Sequence, residues 1–250
     1  MINKLKKLLN MDKKIPNNEE VFEQQIQTRE ESETAADNID AVEEPVMDNQ
    51  DPMTEEQINE LEDQTFLETS AEAVGYQNRE VQWNTYRVMA QYIDPEGSIL
   101  DFGCARGDFK SFFFSEYEID IDYTGIDLNK QLIDAGLKVN PEYNLIHTDW
   151  KSFNEQADWC ISIGSHDVRY DADTVLDDKA YLMETINKMY NCCNDGLAIM
   201  LASDILQQDD GITTWNAGQL LNDVLAKFRT ASIDHSYSDA FFTLIIYKND

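Results

Sequence analysis

Three carboxylates stand where apolar runs end: Asp101 in Ile99-Leu-Asp-Phe-Gly-Cys-Ala-Arg-Gly-Asp-Phe109, Asp127 in Tyr123-Thr-Gly-Ile-Asp127, and Asp149 in His147-Thr-Asp-Trp150. They are spaced 26 and 22 residues apart. Small residues follow the first of them (Gly103, Cys104, Ala105, Gly107), and then comes an apolar stretch able to open a helix. A strand, a tight turn and a helix start leave main-chain N–H groups free for a ligand that approaches closely. Carboxylates accept hydrogen bonds and attract cations, so the ligand expected is a nucleoside with a cationic or hydroxyl-rich part. Asp127 suits the two hydroxyls of a ribose. Asp149 suits the exocyclic amine of adenine, with Trp150 or Leu128 against the ring. Asp101 suits a ligand ammonium, directly or through water.

The elements that must position these groups alternate. The apolar patterning gives a helix over Glu80–Tyr92, stopped by Asp94-Pro95-Glu96-Gly97. Strand Ser98–Phe102, helix Asp108–Tyr117, strand Tyr123–Asp127, helix Lys130–Lys138 and strand Tyr143–His147 follow. Beyond them are strand Trp159–Ile163, helix Lys179–Cys193, strand Leu197–Ala202, helix Ala217–Phe228, and strands Ala231–Tyr237 and Phe241–Lys248. Short apolar strands separated by helices predict an α/β protein whose mostly parallel sheet is covered on both faces. The last two strands flank Ser238-Asp239 and should form an antiparallel hairpin. In such a sheet ligands bind outside the carboxyl ends of the strands, where all three aspartates fall.

Composition divides the chain. Residues 1–70 carry 6 Lys/Arg against 19 Asp/Glu and no Trp or Tyr; the rest carry 13 against 30, within a total of −30. The first part is expected to be a largely disordered acidic arm. Its start, residues 2–14, could form a basic amphipathic helix with Ile2, Leu5, Leu8 and Leu9 on one side. That is either a docking peptide for a protein partner or a frayed terminus. Residues 54–68 could add a marginal helix, and order is expected from about Gly75. Residues 71–250 have the apolar content of one domain. Such acidity opposes phosphate-driven binding of DNA, though low-affinity RNA binding stays open. The four cysteines show neither zinc spacing nor a disulfide framework, no segment reads as a membrane span, and the cytoplasm is the expected compartment.

A dinucleotide site would need glycines at 103, 105 and 108, where this chain has Gly103, Ala105 and Asp108. A carboxylate at that helix start would also repel a pyrophosphate. By contrast, Leu100-Asp-Phe-Gly-Cys-Ala-Arg-Gly-Asp108 resembles the first motif of class I S-adenosylmethionine-dependent methyltransferases. Tyr123-Thr-Gly-Ile-Asp-Leu-Asn129 resembles the second, His147-Thr-Asp-Trp150 the third, Asp158-Trp-Cys-Ile-Ser-Ile-Gly-Ser165 the fourth strand with its loop, and Asp195-Gly-Leu-Ala-Ile-Met-Leu201 the fifth. The style is similar to small domains of this kind encoded by phages and bacteria. The resemblance implies a three-layer Rossmann-like fold with seven strands in the order 3-2-1-4-5-7-6, strand seven antiparallel, and S-adenosyl-L-methionine as cofactor. It implies that Gly103, Ala105 and Gly107 line the methionine part, Asp127 with Leu128 the ribose and ring, and Asp149 with Trp150 the adenine; Cys104, within the same turn, is a further candidate there or a packed small residue. Ser162 and Gly164 would flank the methyl donor. Arg79 would reach the ligand carboxylate, as upstream arginines do in some relatives, or be an exposed helix residue. Ala105 replaces the usual middle glycine and fits if its φ is negative. Arg106 is expected to face solvent.

Methyl transfer from a sulfonium needs alignment first, and a base only if the acceptor must lose a proton. His166, in a loop with Asp167, Arg169 and Tyr170, is the candidate base, or else a loop hydrogen-bonder. The chain has no Pro-Pro-Tyr/Phe after the fourth strand and no Pro-Cys loop, which argues against exocyclic-amine and cytosine-C5 methylation of DNA. A small molecule or a protein is the expected acceptor. Two further readings stay open: a non-catalytic module of the same fold recruited into a larger, possibly phage, assembly through the arm, and a nicotinamide-dependent oxidoreductase.

Overall fold

The computed structural model describes residues 63–166, 178–205 and 212–248. The basic start of the arm and Asp167, Arg169 and Tyr170 lie outside the described residues. Seven strands form one sheet in the order β3-β2-β1-β4-β5-β7-β6. They are β1 (Ile99–Phe102), β2 (Tyr123–Asp127), β3 (Asn144–His147), β4 (Ala157–Ile163), β5 (Cys193–Ala202), β6 (Ala231–Asp234) and β7 (Phe241–Tyr247). β1 pairs in parallel with β2 and β4, β2 with β3 and β4 with β5. β7 runs antiparallel between β5 and β6, which is the hairpin expected from the sequence.

Period-two alternation divides the core into two layers. Leu100, Phe102, Cys160, Leu197, Ile199, Leu201, Phe242 and Leu244 point to one face, against Leu182, Ile186 and Met189 of α4 (Asp178–Cys192) and Leu220 and Val224 of α5 (Ala217–Leu225). Ile99, Trp159, Ile161, Ala198, Met200 and Ile245 point to the other. There they meet α1 (Arg79–Met89), α2 (Asp108–Tyr117) and α3 (Lys130–Val139). Inner strands buried on both sides read as continuous apolar runs, which is why β5 showed no alternation in the sequence. Asparagines start three of the helices: the side chains of Asn78, Asn129 and Asn216 accept main-chain N–H bonds at the starts of α1, α3 and α5. α1 ends earlier than its pattern suggested, since residues 90–92 form turns.

α1 is fixed on α2 by aromatic edges rather than by an aliphatic seam. Tyr86 meets Phe109 at 5.3 Å and Phe112 at 5.6 Å, and Trp83 meets Phe112 at 5.7 Å, all edge to face. Upstream, residues 63–69 are helical and Glu72–Val74 form a 3₁₀ turn, so described structure begins well before Gly75. α3 reaches the turn after β1 through Gly136, where an added Cβ would lie 2.5 Å from the carbonyl oxygen of Arg106. Main chain cannot retreat as a flexible side chain can. Gly136→Ala should therefore lower stability by about 1–3 kcal/mol in urea denaturation, with an unchanged far-ultraviolet circular dichroism spectrum.

Candidate cofactor site

The turn after β1 carries the site. Its residues alternate in handedness: Gly103, Ala105 and Gly107 have φ of 83°, 51° and 75°, while Cys104 and Arg106 are not among the positive-φ residues. Such alternation curls successive N–H groups into a concavity that attracts an anionic group. Here one of these N–H groups meets a carboxylate of the protein itself and others meet carbonyls. Ala105 N–H donates to Asp127 Oδ2 at 2.8 Å, and Asn129 N–H donates to Asp127 Oδ1 at 2.7 Å. Gly103 and Cys104 N–H both donate to the carbonyl of Ile126, which continues the pairing of β1 with β2 into the turn. The buried Cys104 thiol packs over Gly125, where an added Cβ would sit 2.6 Å from its sulfur. Burial, chiefly, pushes that thiol well above its ordinary pKa and keeps it protonated.

Ala105 departs from the expectation of negative φ. Its left-handed backbone costs an L-residue about 1–2 kcal/mol, and the bond from its N–H to Asp127 helps hold it there.

Asp101 lies beneath the turn, only 3% exposed. Tyr123 donates its hydroxyl to Oδ2 at 2.6 Å, and Oδ1 is buried with no partner among the described residues. Burial, helped by the charge of Asp127 and opposed by the Tyr123 bond, raises its pKa to about 7. A carboxyl held near neutrality with one oxygen free takes up a cation readily. Two unexpected polar side chains are buried at the start of α2, both on Asp108. Gln82, fully buried, donates to Asp108 Oδ2 at 2.8 Å and to Tyr86 Oη at 3.1 Å, and its own Oε1 has no partner among the described residues. Arg106, which the sequence placed toward solvent, is 2% exposed and donates to Asp108 Oδ2 at 2.6 Å. Gln82 was legible in principle, as a polar residue on the Tyr86–Met89 face of α1. The inward turn of Arg106 was not, because it depends on chain brought from residue 67.

At the second and third strand ends, Leu128 is 52% exposed beside Asp127, and its carbonyl lies 3.1 Å from His147 Nε2. Asp149 Oδ1 accepts from Lys151 N–H at 2.9 Å. Trp150 donates its indole N–H to the Tyr181 hydroxyl at 3.0 Å and packs against the core, with the Lys151 ammonium 5.3 Å from its ring centroid. Leu128 thus offers the more open apolar face. Arg79 opens α1 and donates to the carbonyl of Thr69 at 2.9 Å.

Beyond β4, Ser162 and Ser165 both donate to the carbonyl of Phe102, at 2.8 Å and 3.1 Å, closing the loop against β1. Ser162 is fully buried and acts as a staple between strands. Ser165 rests on Gly103, where an added Cβ would come within 2.5 Å of its own. Gly164 turns with φ 72° into open space. Both ring nitrogens of His166 are buried without partners among the described residues, the ring lies 6.3 Å from that of Tyr181, and burial lowers its pKa to about 4. It is neutral at neutral pH. Among the described residues no group of three or more His, Cys, Asp or Glu could hold a metal ion, and no helix is long and apolar enough to cross a membrane.

Comparison of folds agrees with this geometry. The chain is similar to an S-adenosylmethionine-dependent methyltransferase from Archaeoglobus fulgidus, at 17% identity over 68% of this chain and 95% of that one, with a TM-score of 0.51. It is similar to the N-methyltransferase NodS from Bradyrhizobium japonicum in complex with S-adenosyl-L-homocysteine, at 14% identity over 77% and 98%, TM-score 0.52. The plantazolicin methyltransferase BpumL matches at 15% identity over 79% and 100%, TM-score 0.52. No protein-family model and no curated protein sequence matches the chain. The protein has the class I S-adenosylmethionine-dependent methyltransferase fold.

Two outcomes follow from the turn. Ala105→Gly should raise stability by about 1 kcal/mol in urea denaturation, because glycine adopts positive φ without the Cβ penalty. Asp101→Asn tests the buried carboxyl. Its folded pKa of about 7 lies above the unfolded value, so the stability it contributes is full below about pH 4 and is lost as pH rises toward 7. The stability of the variant relative to the parent should therefore climb through that window and level off above it, as read from thermal unfolding at stepped pH.

Proposed function

We propose that the protein binds S-adenosyl-L-methionine at the carboxyl ends of β1, β2 and β3 and catalyses methyl transfer to an acceptor. The observation that carries this reading is the buried Asp101, whose free Oδ1 lies under a left-handed turn next to Asp127. A carboxyl of raised pKa there suits the α-ammonium of the methionine part, and a pyrophosphate would instead meet Asp101 and Asp108. The main chain of Gly103, Cys104, Ala105 and Gly107 would line the same part. Each Asp127 oxygen accepts one main-chain bond and keeps a lone pair for a ribose hydroxyl. Leu128 would cover one face of adenine, Asp149 would accept from its amine, and Trp150 would back the ring from its fixed place on Tyr181. When bound, the cofactor supplies a methyl group already activated on a sulfonium.

Alignment is then the main task of the protein. Ser162 and Ser165 hold the loop after β4 against β1, and Gly164 allows its bend toward the acceptor. His166, neutral at neutral pH, is the candidate to take a proton from the attacking group, and with a pKa lowered to about 4 it is a weak base that would serve only an acceptor already close to losing its proton. Arg79 would reach the ligand carboxylate only by giving up Thr69. We favour a small molecule or a protein as acceptor, since a chain of net charge −30 repels polyphosphates. An N-methyltransferase and a plantazolicin methyltransferase stand among the similar structures. All four cysteines are free thiols, which suits a reducing compartment such as the cytoplasm.

One observation favours a second reading. Ser165 takes up room beside Gly103, as it would in a module that keeps the fold and has lost turnover. Release of S-adenosyl-L-homocysteine from the cofactor in the presence of cell extract separates the two.

Calorimetry with S-adenosyl-L-homocysteine is the direct test of the site. Asp127→Ala should weaken binding by about 100-fold. It should also lower the melting temperature while unfolding stays cooperative, because two main-chain N–H groups lose their acceptor. Unchanged affinity would show the ribose assignment to be wrong. Between pH 6 and 7 the parent should release protons on binding, as the ligand ammonium lowers the pKa of Asp101; repeating the titration in buffers of different ionisation enthalpy reads this out.

A further inference from the structure

Arg106 belongs to the cofactor turn by its main chain and to the N-terminal segment by its side chain. Its backbone lies between left-handed Ala105 and Gly107. Its guanidinium is buried, with Nη2 on Asp108 and Nη1 donating to the carbonyl of Leu67 at 2.7 Å. Leu67 lies in the helical segment over residues 63–69. The last carbonyls of a helix lack partners within it and carry partial negative charge, so a cation is their natural mate. Two other cations grip the same stretch. Arg79 donates to Thr69, and Lys138 at the end of α3 pairs with Glu68 at 2.6 Å. The Lys138–Glu68 pair joins a half-exposed lysine to a glutamate that is 17% exposed, and solvent screens it at the lysine end. The Arg106 contact is buried, so undocking the segment would break a charge-assisted hydrogen bond that water does not screen in the folded chain.

Neither end of this contact can move alone. The buried side chain fixes the residue in the middle of the turn, and the turn conformation aims that side chain at Leu67. We infer that Arg106 is a positioning residue that couples docking of residues 63–70 to the shape of the Gly103–Gly107 turn. Resting on the cofactor reading above, it follows that a ligand held on the turn tightens the segment, and that loosening the segment weakens the ligand by the same factor. The N-terminal segment is then part of the binding equilibrium although it need not touch the ligand.

Hydrogen exchange on the full-length chain tests this, following amides of residues 63–70 and 103–108 with and without S-adenosyl-L-homocysteine. In the parent, ligand should slow exchange across 63–70 by about tenfold or more. Glu68→Pro breaks the helical segment, because proline excludes residue 67 from helical conformation and removes a donor. It should speed exchange of the turn amides about tenfold without ligand and weaken ligand binding by about the same factor. Glu68→Ala removes only the surface pair and should leave both within about twofold. In Arg106→Gln, ligand should still protect the turn while exchange at 63–70 no longer responds, and Arg106→Lys should restore part of that response. Turn amides that exchange equally in Glu68→Pro and the parent would overturn the coupling. That comparison needs no ligand, so it decides the point even if S-adenosyl-L-homocysteine fails to bind, an outcome that would sink the cofactor reading separately.

Discussion

One main-chain hydrogen bond organises the site: Ala105 N–H to the Asp127 carboxylate. It spans from the turn after β1 to the end of β2 and fixes the distance between the two parts of the chain that would hold the methionine and the ribose. The bond is short because side chains are missing where the turn presses against its neighbours. Gly125 admits the Cys104 thiol, and Gly136 admits the main chain of Arg106. The acceptor carboxylate takes the Ala105 N–H, while the N–H groups of Gly103 and Cys104 are taken by the Ile126 carbonyl, so the turn is held by β2 at three of its main-chain donors.

Around that bond the protein accepts several local costs. An alanine sits at positive φ, and among the described residues Asp101 is buried with one oxygen unpaired and Gln82 and Arg106 each leave a buried polar atom without a partner. Unsatisfied buried groups are uncommon in folded proteins and tend to gather where a ligand completes them. The aromatic contacts of α1 and α2, together with two sheet faces of apolar residues, supply the rigidity that holds these groups in place. The electrostatics are consistent with a cationic ligand. With a pKa of about 7 the carboxyl under the turn is only partly ionised at neutral pH, which limits like-charge repulsion between Asp101 and Asp127.

The loop after β4 is closed by two hydroxyls that share one carbonyl, that of Phe102. This crosslinks the strands on either side of the point where chain order reverses in the sheet, the position at which ligands bind in folds of this kind. His166 then lies beside Tyr181, whose hydroxyl also holds Trp150. Trp150 and His166 are therefore both held from the first turn of α4.

The strands, the helices between them and the three acidic strand ends were legible in the sequence, because period-two and helical patterns and small-residue turns are local properties of the chain. The final hairpin was legible for the same reason. Its insertion beside β5 rather than at the sheet edge came from the family resemblance. The state of each site residue needed the tertiary structure. The φ of Ala105 depends on Asp127, 22 residues on; the raised pKa of Asp101 depends on burial and Tyr123; and the inward turn of Arg106 depends on a carbonyl 39 residues earlier. Local pattern determines which elements form and what their ends carry. Burial and pairing between distant segments decide charge, strain and direction, because those energies exist only once the segments meet.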